Sequence, residues 1–199
     1  MTLRHQITAC TLCADRFAAT QTAHSPRPIV WFEPTARLLI VGQAPGKKVY
    51  KSGCPFTDPS GDRLRDWLGV DETTFYDRSN VTIVPMAFCF PGNDKAGSDL
   101  PPPKVCGQTW HDSVMADLPD VKLRILVGAS AHRYHLGVKT SATETVAGWR
   151  DHAPDTFVLP HPSWRNTAWL KKNPWFGAQV LPALRVRVKE VLNDGSRHN

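Results

Sequence analysis

The sequence predicts an α/β fold: a three-layer α/β/α sandwich around a central, mostly parallel, four-stranded sheet. Three observations carry this. Four short apolar runs, at 37–41, 81–86, 123–127 and 156–159, have the length of buried strands and are too short for helices. The stretches between them carry helical spacing of apolar residues, the alternation that builds parallel sheets. Each run breaks at a glycine or a proline: Gly42, Pro85, Gly128 or Pro160.

Residues 1–35 hold Cys10-Thr-Leu-Cys13 and several prolines, and read as an irregular segment packed over the domain. The first strand, 37–41, runs into Gly42-Gln43-Ala44-Pro45-Gly46. A glycine on each side of Ala-Pro forces a tight turn and lets a ligand approach the backbone. A second loop, 53–61, carries Phe56, Asp58 and Ser60. An amphipathic helix follows at 62–68, with Leu64, Trp67 and Leu68 on one face. A short helical turn at 71–76 has Asp71 as its N-cap. The second strand, 81–86, is rich in β-branched residues and ends around Pro85. The 91–103 loop has no periodicity and is long for a compact domain, so it is either functional or disordered.

Residues 104–118 read as a helix. The third strand, 123–127, leads through Gly128 into a helix to about Leu136. Another helix, 143–150, has Thr143 as its cap and turns Val146 and Trp149 inward. The fourth strand, 156–159, runs straight into Pro160-His161-Pro162-Ser163-Trp164-Arg165-Asn166. A final helix starts with Pro174 in its first position and reaches about Leu192. Arg185, Arg187 and Lys189 give it a basic stripe, and the tail from Asn193 reads as loose. With no repeat and no composition break, one domain spanning 1–199 is expected.

The chain's 199 residues suffice for a sizeable core. Its 41% hydrophobic and 21% charged residues are those of an ordinary globular domain, which argues against disordered and fibrous classes. No apolar run reaches the length of a membrane span, so no membrane partner is expected. The N-terminus lacks a basic-then-apolar signal pattern, and the expected compartment is the cytoplasm. A net charge of +6 favours a polyanionic partner. Several of the tryptophans stand beside basic residues near the C-terminus, a pairing suited to phosphate contact and base stacking. Cys10, Cys13, Cys54, Cys89 and Cys106 make five cysteines, and in a cytosolic chain they are not a disulfide framework.

Two strand ends carry unusual loops, 42–46 after the first strand and 160–166 after the fourth. In a parallel sheet both lie at one edge and face one cleft. His161, between two prolines, is held rigidly. Its bland alternative is a surface histidine in a proline-rich turn, and that of the glycine loop is a plain strand-to-helix turn. Trp164 is either an exposed aromatic or a core anchor.

These residues resemble the uracil-DNA glycosylase superfamily, and within it the bacterial and archaeal family 4 type. The 42–46 loop resembles the superfamily's water-positioning motif. Gly53-Cys-Pro-Phe56 and Gly61 match the stretch that follows it. His161-Pro162-Ser163 match the second motif. Cys10, Cys13, Cys89 and Cys106 match the family 4 cysteines that hold an iron–sulfur cluster. The likeness runs from Cys10 to about Val188.

What the resemblance implies is a monomeric DNA-repair enzyme that flips uracil, or a related deaminated base, out of DNA and hydrolyses its N-glycosidic bond. His161, Gln43 and Asp58 would be catalytic. Gly42, Ala44, Phe56, Ser60 and Asp62 would hold the base, with Phe56 against its face. Pro45, Lys47, Lys48, Ser163, Trp164, Arg165 and Asn166 would meet the DNA, with Trp164 near the wedge that fills the gap, and Lys171 and Lys172 are further phosphate candidates. Cys54 would be a bystander.

The chain departs from the family twice. Gln43 stands where family 4 has glutamate, and Ala44 where other families have aspartate or asparagine, so the 42–46 loop holds no carboxylate; Asp58, ahead of Asp62, would replace it, or Gln43 would merely hold a water. Pro85 stands where the family reads uracil with an asparagine. A catalytically silent DNA-lesion binder and a non-DNA iron–sulfur α/β protein are the rival readings. For the cysteines, a four-iron four-sulfur cluster, zinc and no metal at all stay open.

Overall fold

A computed structural model of the chain describes residues 1–195. Its centre is one four-stranded sheet in the order β2-β1-β3-β4, formed by β1 (Leu38–Val41), β2 (Val81–Ile83), β3 (Leu123–Val127) and β4 (Thr156–Leu159). Every pairing is parallel, with Leu38 opposite both Val81 and Leu123, and Arg124 opposite Thr156. Successive strand side chains point to opposite faces. All residues of β1, β2 and β4 are nevertheless buried, so the sheet is covered on both faces, as the middle layer of an α/β fold.

β2 is shorter than the 81–86 run. Pro85 has no N–H to give the ladder, and the regular strand stops at Ile83. The chain still follows the end of β1: Met86 and Ala87 donate their N–H groups to the carbonyls of Gly42 (2.9 Å) and Gln43 (3.1 Å). The outer edge of β2 is covered by Trp31, whose carbonyl accepts the Ile83 N–H at 2.7 Å.

Residues 1–35 are more regular than their sequence suggests. They include α1 (Leu3–Thr8), capped by the Thr2 hydroxyl, and α2 (Ala14–Ala18). Each is little over a turn, too short for apolar periodicity to show, and each buries one residue, Ile7 or Phe17. A further short helix, α3 (Lys47–Ser52), fills the gap after Gly46. The following helix, α4 (Pro59–Leu68), starts three residues before the expected start at 62 because Asp58 caps it and Pro59 takes N1. Leu64, Trp67 and Leu68 are its buried face. Asp71 caps α5 (Glu72–Tyr76) through the Thr74 N–H at 2.8 Å.

After β2 come α6 (Lys104–Ala116) and, beyond β3, α7 (Ala129–Leu136) and α8 (Ala142–Ala147). The cap of α8 is Ser141, in a reciprocal capping box with Glu144, and not Thr143: the box satisfies two backbone donors where a lone threonine would satisfy one. Beyond β4, α9 (Thr167–Lys172) precedes the C-terminal helix. That helix begins at Pro174, passes through one π-helical turn (Phe176–Val180) and continues as α10 (Leu181–Gly195). Residues 193–195 are therefore helical and not a loose tail; 196–199 lie outside the described residues. The basic stripe of α10 is largely neutralised, since Arg185 lies 3.5 Å from Asp66 and Arg187 lies 3.6 Å from Asp155 and 3.2 Å from Glu190. α10 packs on α4 and on β1 and β3. Among the described residues no helix is long and apolar enough to cross a membrane.

The strand order decides where a ligand can enter. β1 and β3 are neighbours, but the chain leaves β1 toward one edge of the sheet and β3 toward the other. The loops at their carboxyl ends diverge and leave a crevice, the usual site in an open parallel sheet.

Candidate active site

The crevice holds a concave cleft. Ile29, Trp31, Ile83, Pro85 and Phe56 give it an apolar lining. Gln43, Asp58, Ser60, Asp99 and His161 are its polar side chains, and the 42–46 backbone forms one wall. The cleft opens into a broader groove that shares Gln43, Ala44, Pro45, Asp58, Ser60, Asp99 and His161. Arg133 of α7 and the run Ser163, Trp164, Arg165 and Asn166 line that groove further out.

His161 is fixed in orientation and in tautomer. Its Nδ1 accepts the N–H of Ser163 at 3.2 Å, so the ring proton resides on Nε2. Desolvation holds its pKa below the ordinary imidazole value, although Asp58 and Asp99 pull it back up. The ring is neutral near neutral pH, with Nε2–H as its free donor. The loop behind it is tied down from two sides. Asn166 donates its side-chain amide to the His161 carbonyl at 2.7 Å, and Arg63 of α4 donates to the Ser163 carbonyl at 2.9 Å and the Thr167 hydroxyl at 3.3 Å. Asn166, expected to touch DNA, thus also braces the loop. Ser163 caps the turn through Arg165 N–H at 3.2 Å.

Phe56 is held just as firmly. Its φ of +57° is left-handed, a costly conformation for a phenylalanine. The Tyr76 hydroxyl donates to its carbonyl at 3.0 Å and Arg65 at 3.4 Å. The ring meets Phe75 edge-on at 6.0 Å and lies over Gly42, where a Cβ would be 3.5 Å from Cζ. An aromatic face is thereby presented across the 42–46 loop.

Gln43 packs its side chain onto the turn after β3: a Cβ on Gly128 would lie 3.0 Å from Gln43 Nε2. Gly128, with φ +86°, is thus required twice, for its backbone and for this contact. Gly42, Ala44, Pro45 and Gly46 all line the cleft, and none brings a carboxylate. Asp58 does face the cleft, while its Oδ1 accepts the N–H groups of Ser60 and Gly61 at 3.1 and 3.3 Å and the Ser60 hydroxyl.

The geometry does not bring every expected residue to the cleft or the groove. Asp62 points away from the cleft: it sits exposed in the first turn of α4, paired with Arg65 at 2.5 Å. The cap at Asp58 sets the helix phase and turns Asp62 outward. Lys47 and Lys48 are exposed on α3 and line neither cleft nor groove, because the helix that begins at Gly46 carries them off the loop. Lys171 and Lys172, at the end of α9, are likewise exposed away from the groove. Trp164, in contrast, is 74% exposed at the groove, with Arg165 over its ring, and is no core anchor.

Asp99, Arg63 and Arg133 escape sequence reading. Asp99 lies in an aperiodic loop, Arg63 on a helix whose apolar face draws the attention, and Arg133 on the polar face of a short helix. No local pattern marks any of them.

Away from the cleft, Cys10, Cys13, Cys89 and Cys106 converge on one small apolar hollow, with Ile7, Phe17, Phe88 and Trp110 around it. Burial, with the neighbouring cysteines adding to it, pushes the Cys89 thiol up to about 12 and the Cys106 thiol up to about 11. The Cys106 sulfur accepts the Phe88 N–H at 3.4 Å. Among the described residues no three His, Cys, Asp or Glu side chains are drawn together around a single ion. Four soft thiols about one apolar hollow nevertheless suit a cationic thiolate-bound group, which would supply the charge that burial withholds. Cys54 stays apart, beside Tyr76.

A histidine donor, an aromatic face and a glycine loop thus meet at the carboxyl edge of a parallel sheet, above a groove with an exposed tryptophan. Residues 29–185 match the Uracil DNA glycosylase superfamily, a stretch that takes in both loops, Phe56, Cys89 and Cys106. The chain belongs to that superfamily.

Proposed function

We propose that this chain is a DNA glycosylase that removes uracil, or a related deaminated base, from DNA by hydrolysing the N-glycosidic bond. The observation that carries this reading is His161: a neutral, partly desolvated imidazole with Nδ1 occupied and Nε2–H free, in the same cleft as Phe56 and the 42–46 loop. Bond cleavage leaves negative charge on the base and positive charge on the sugar. A preorganised donor at the developing anion is worth most in such a water-poor site. His161 Nε2–H donates to a base carbonyl, the Phe56 ring stacks on the flipped base, and the 42–46 backbone with Gln43 holds water near the sugar. Trp164 enters the space that the base vacates.

In the same reading, Cys10, Cys13, Cys89 and Cys106 hold an iron–sulfur cluster, which when bound supplies a four-thiolate cross-link between the N-terminal segment and the rest of the chain. Zinc on the same thiolates is the alternative, and iron and sulfide analysis of the purified protein separates them. The protein would act as a cytoplasmic monomer.

Pro85 favours a second reading. It lines the cleft without a side-chain donor or an N–H, and its carbonyl is engaged by His111 Nε2 at 2.9 Å. A lesion binder without turnover would tolerate such a wall. The deciding experiment is release of base from labelled single- and double-stranded oligonucleotides bearing uracil, hypoxanthine or xanthine, followed by alkali. Scission at the lesion supports the enzyme; tight lesion binding without scission supports the second reading.

A further inference from the structure

The 42–46 loop lacks a carboxylate, yet two carboxylates from elsewhere face the cleft, and they are held differently. Asp58 is built into the start of α4 as its cap. Among the described residues the Asp99 carboxylate makes a single hydrogen bond, from Asn93 Nδ2 to Oδ1 at 2.9 Å. Its Oδ2 has no hydrogen-bond partner among the described residues and stands 3.2 Å from where a Cβ on Gly46 would be.

Asp99 also stands where the two spaces join, since it lines both the deep cleft and the outer groove. With a base in the cleft and the strand along the groove, that junction is the place of the sugar. The loop that carries Asp99 is braced: Leu100 N–H bonds the Gly92 carbonyl at 2.9 Å, and the Asp94 carboxylate takes the N–H groups of Ala96 and Ser98, each at 2.9 Å. Three charged or titratable groups face Asp99: Asp58, His161 and Arg165. Desolvation raises its pKa and Asp58 adds to the rise, while the Asn93 hydrogen bond, Arg165 and His161 oppose it.

We propose that Asp99 is the catalytic carboxylate of this chain, orienting the attacking water beside the sugar and accepting its proton. This rests on the glycosylase reading. The bond from C1′ to the base nitrogen breaks with its electron pair going to the base, whose carbonyl is held by His161 Nε2–H. Water oxygen bonds C1′, its proton passes to Asp99 and then to solvent, and the base takes a proton from solvent on release. A carboxylate at this point also faces the positive charge that develops on the sugar.

The test is single-turnover base release by the wild type, Asp99→Asn and Asp99→Glu across a pH series, alongside DNA affinity and thermal unfolding. Asp99→Asn is expected to lose on the order of 10²-fold in rate, with affinity and unfolding midpoint kept. The wild-type rate is expected to rise with pH through an acid limb that Asp99→Asn lacks and Asp99→Glu partly restores. A rate for Asp99→Asn within about twofold of wild type at every pH overturns the proposal, as does a loss confined to DNA affinity. If the wild type releases no base from any of the three lesions, the glycosylase reading falls first and this inference with it.

Discussion

A Cβ on Gly61 would lie 1.8 Å from the carbonyl oxygen of Phe56 and 2.9 Å from its own Cβ. The first turn of α4 is thus pressed against the left-handed residue that presents the cleft's aromatic face. Gly61 is needed for this close approach and not for an unusual φ of its own. Gly61→Ala must move the Phe56 backbone away from Tyr76 and Arg65. A loss of at least about 1–3 kcal/mol is expected, from overpacking a site that cannot relax. Urea unfolding reads that loss, and base release should fall with it because Phe56 leaves its place over Gly42.

His161→Ala removes the donor and leaves Trp164 and Arg165, further out in the groove, in place. Base release should fall about 10²–10³-fold, the usual cost of one preorganised donor, while affinity for undamaged DNA stays unchanged. Equal losses in rate and affinity would argue that His161 only shapes the loop.

Trp164 is 74% exposed, so Trp164→Ala should leave the unfolding midpoint unmoved. Its effect belongs on lesion DNA, where roughly 1–3 kcal/mol of stacking affinity is expected to be lost. A drop in stability with lesion affinity preserved would reassign it to packing.

Three histidines make the fold acid-sensitive. His111, His132 and His135 are all held below the ordinary imidazole value by burial, His135 down to about 4. Their hydrogen bonds agree with neutral rings: His111 Nε2 bonds the Pro85 carbonyl at 2.9 Å, its Nδ1 meets His135 Nε2 at 3.3 Å, and His132 Nε2 bonds the Leu126 carbonyl at 3.0 Å. A base with a depressed folded pKa contributes stability that is present above its unfolded value, about 6.5, and lost as pH falls below it. Urea midpoints should therefore decline from just below pH ~6.5 and go on declining toward about 4, the folded value of His135. His135→Gln should flatten the lower part of that decline; an unchanged slope would remove His135 from the account.

For the cysteine hollow, iron and acid-labile sulfide in the freshly purified protein, with a brown colour lost in Cys89→Ser, is the expected outcome. Colourless protein without iron would discard the cluster and leave the His161 prediction standing.

The elements that could be read in advance were those with a local cause. β1, β3 and β4 are short apolar runs closed by Gly42, Gly128 and Pro160, and Asp71 marks α5 by its own side chain. α1 and α2 could not be read, because helices of six and five residues leave no periodic trace. Thr143 lost the cap of α8 to Ser141 because a capping box depends on Glu144 three residues on.

The sequence by itself determined the parallel α/β sheet and the two loops that meet at its edge, with Gln43, Phe56 and His161 brought to one cleft. Those follow from residue type and spacing along the chain. Only the tertiary structure decided that Asp99 lines the cleft and Arg63 braces its loop, that Asp62 and Lys47 stand outside the cleft, and that Trp164 stands in solvent. The reason is physical. Where a side chain points depends on the phase of its helix and on how loops close, as when Asp58 starts α4 and Asn93 pairs with Asp99, and neither is written in the residues nearby.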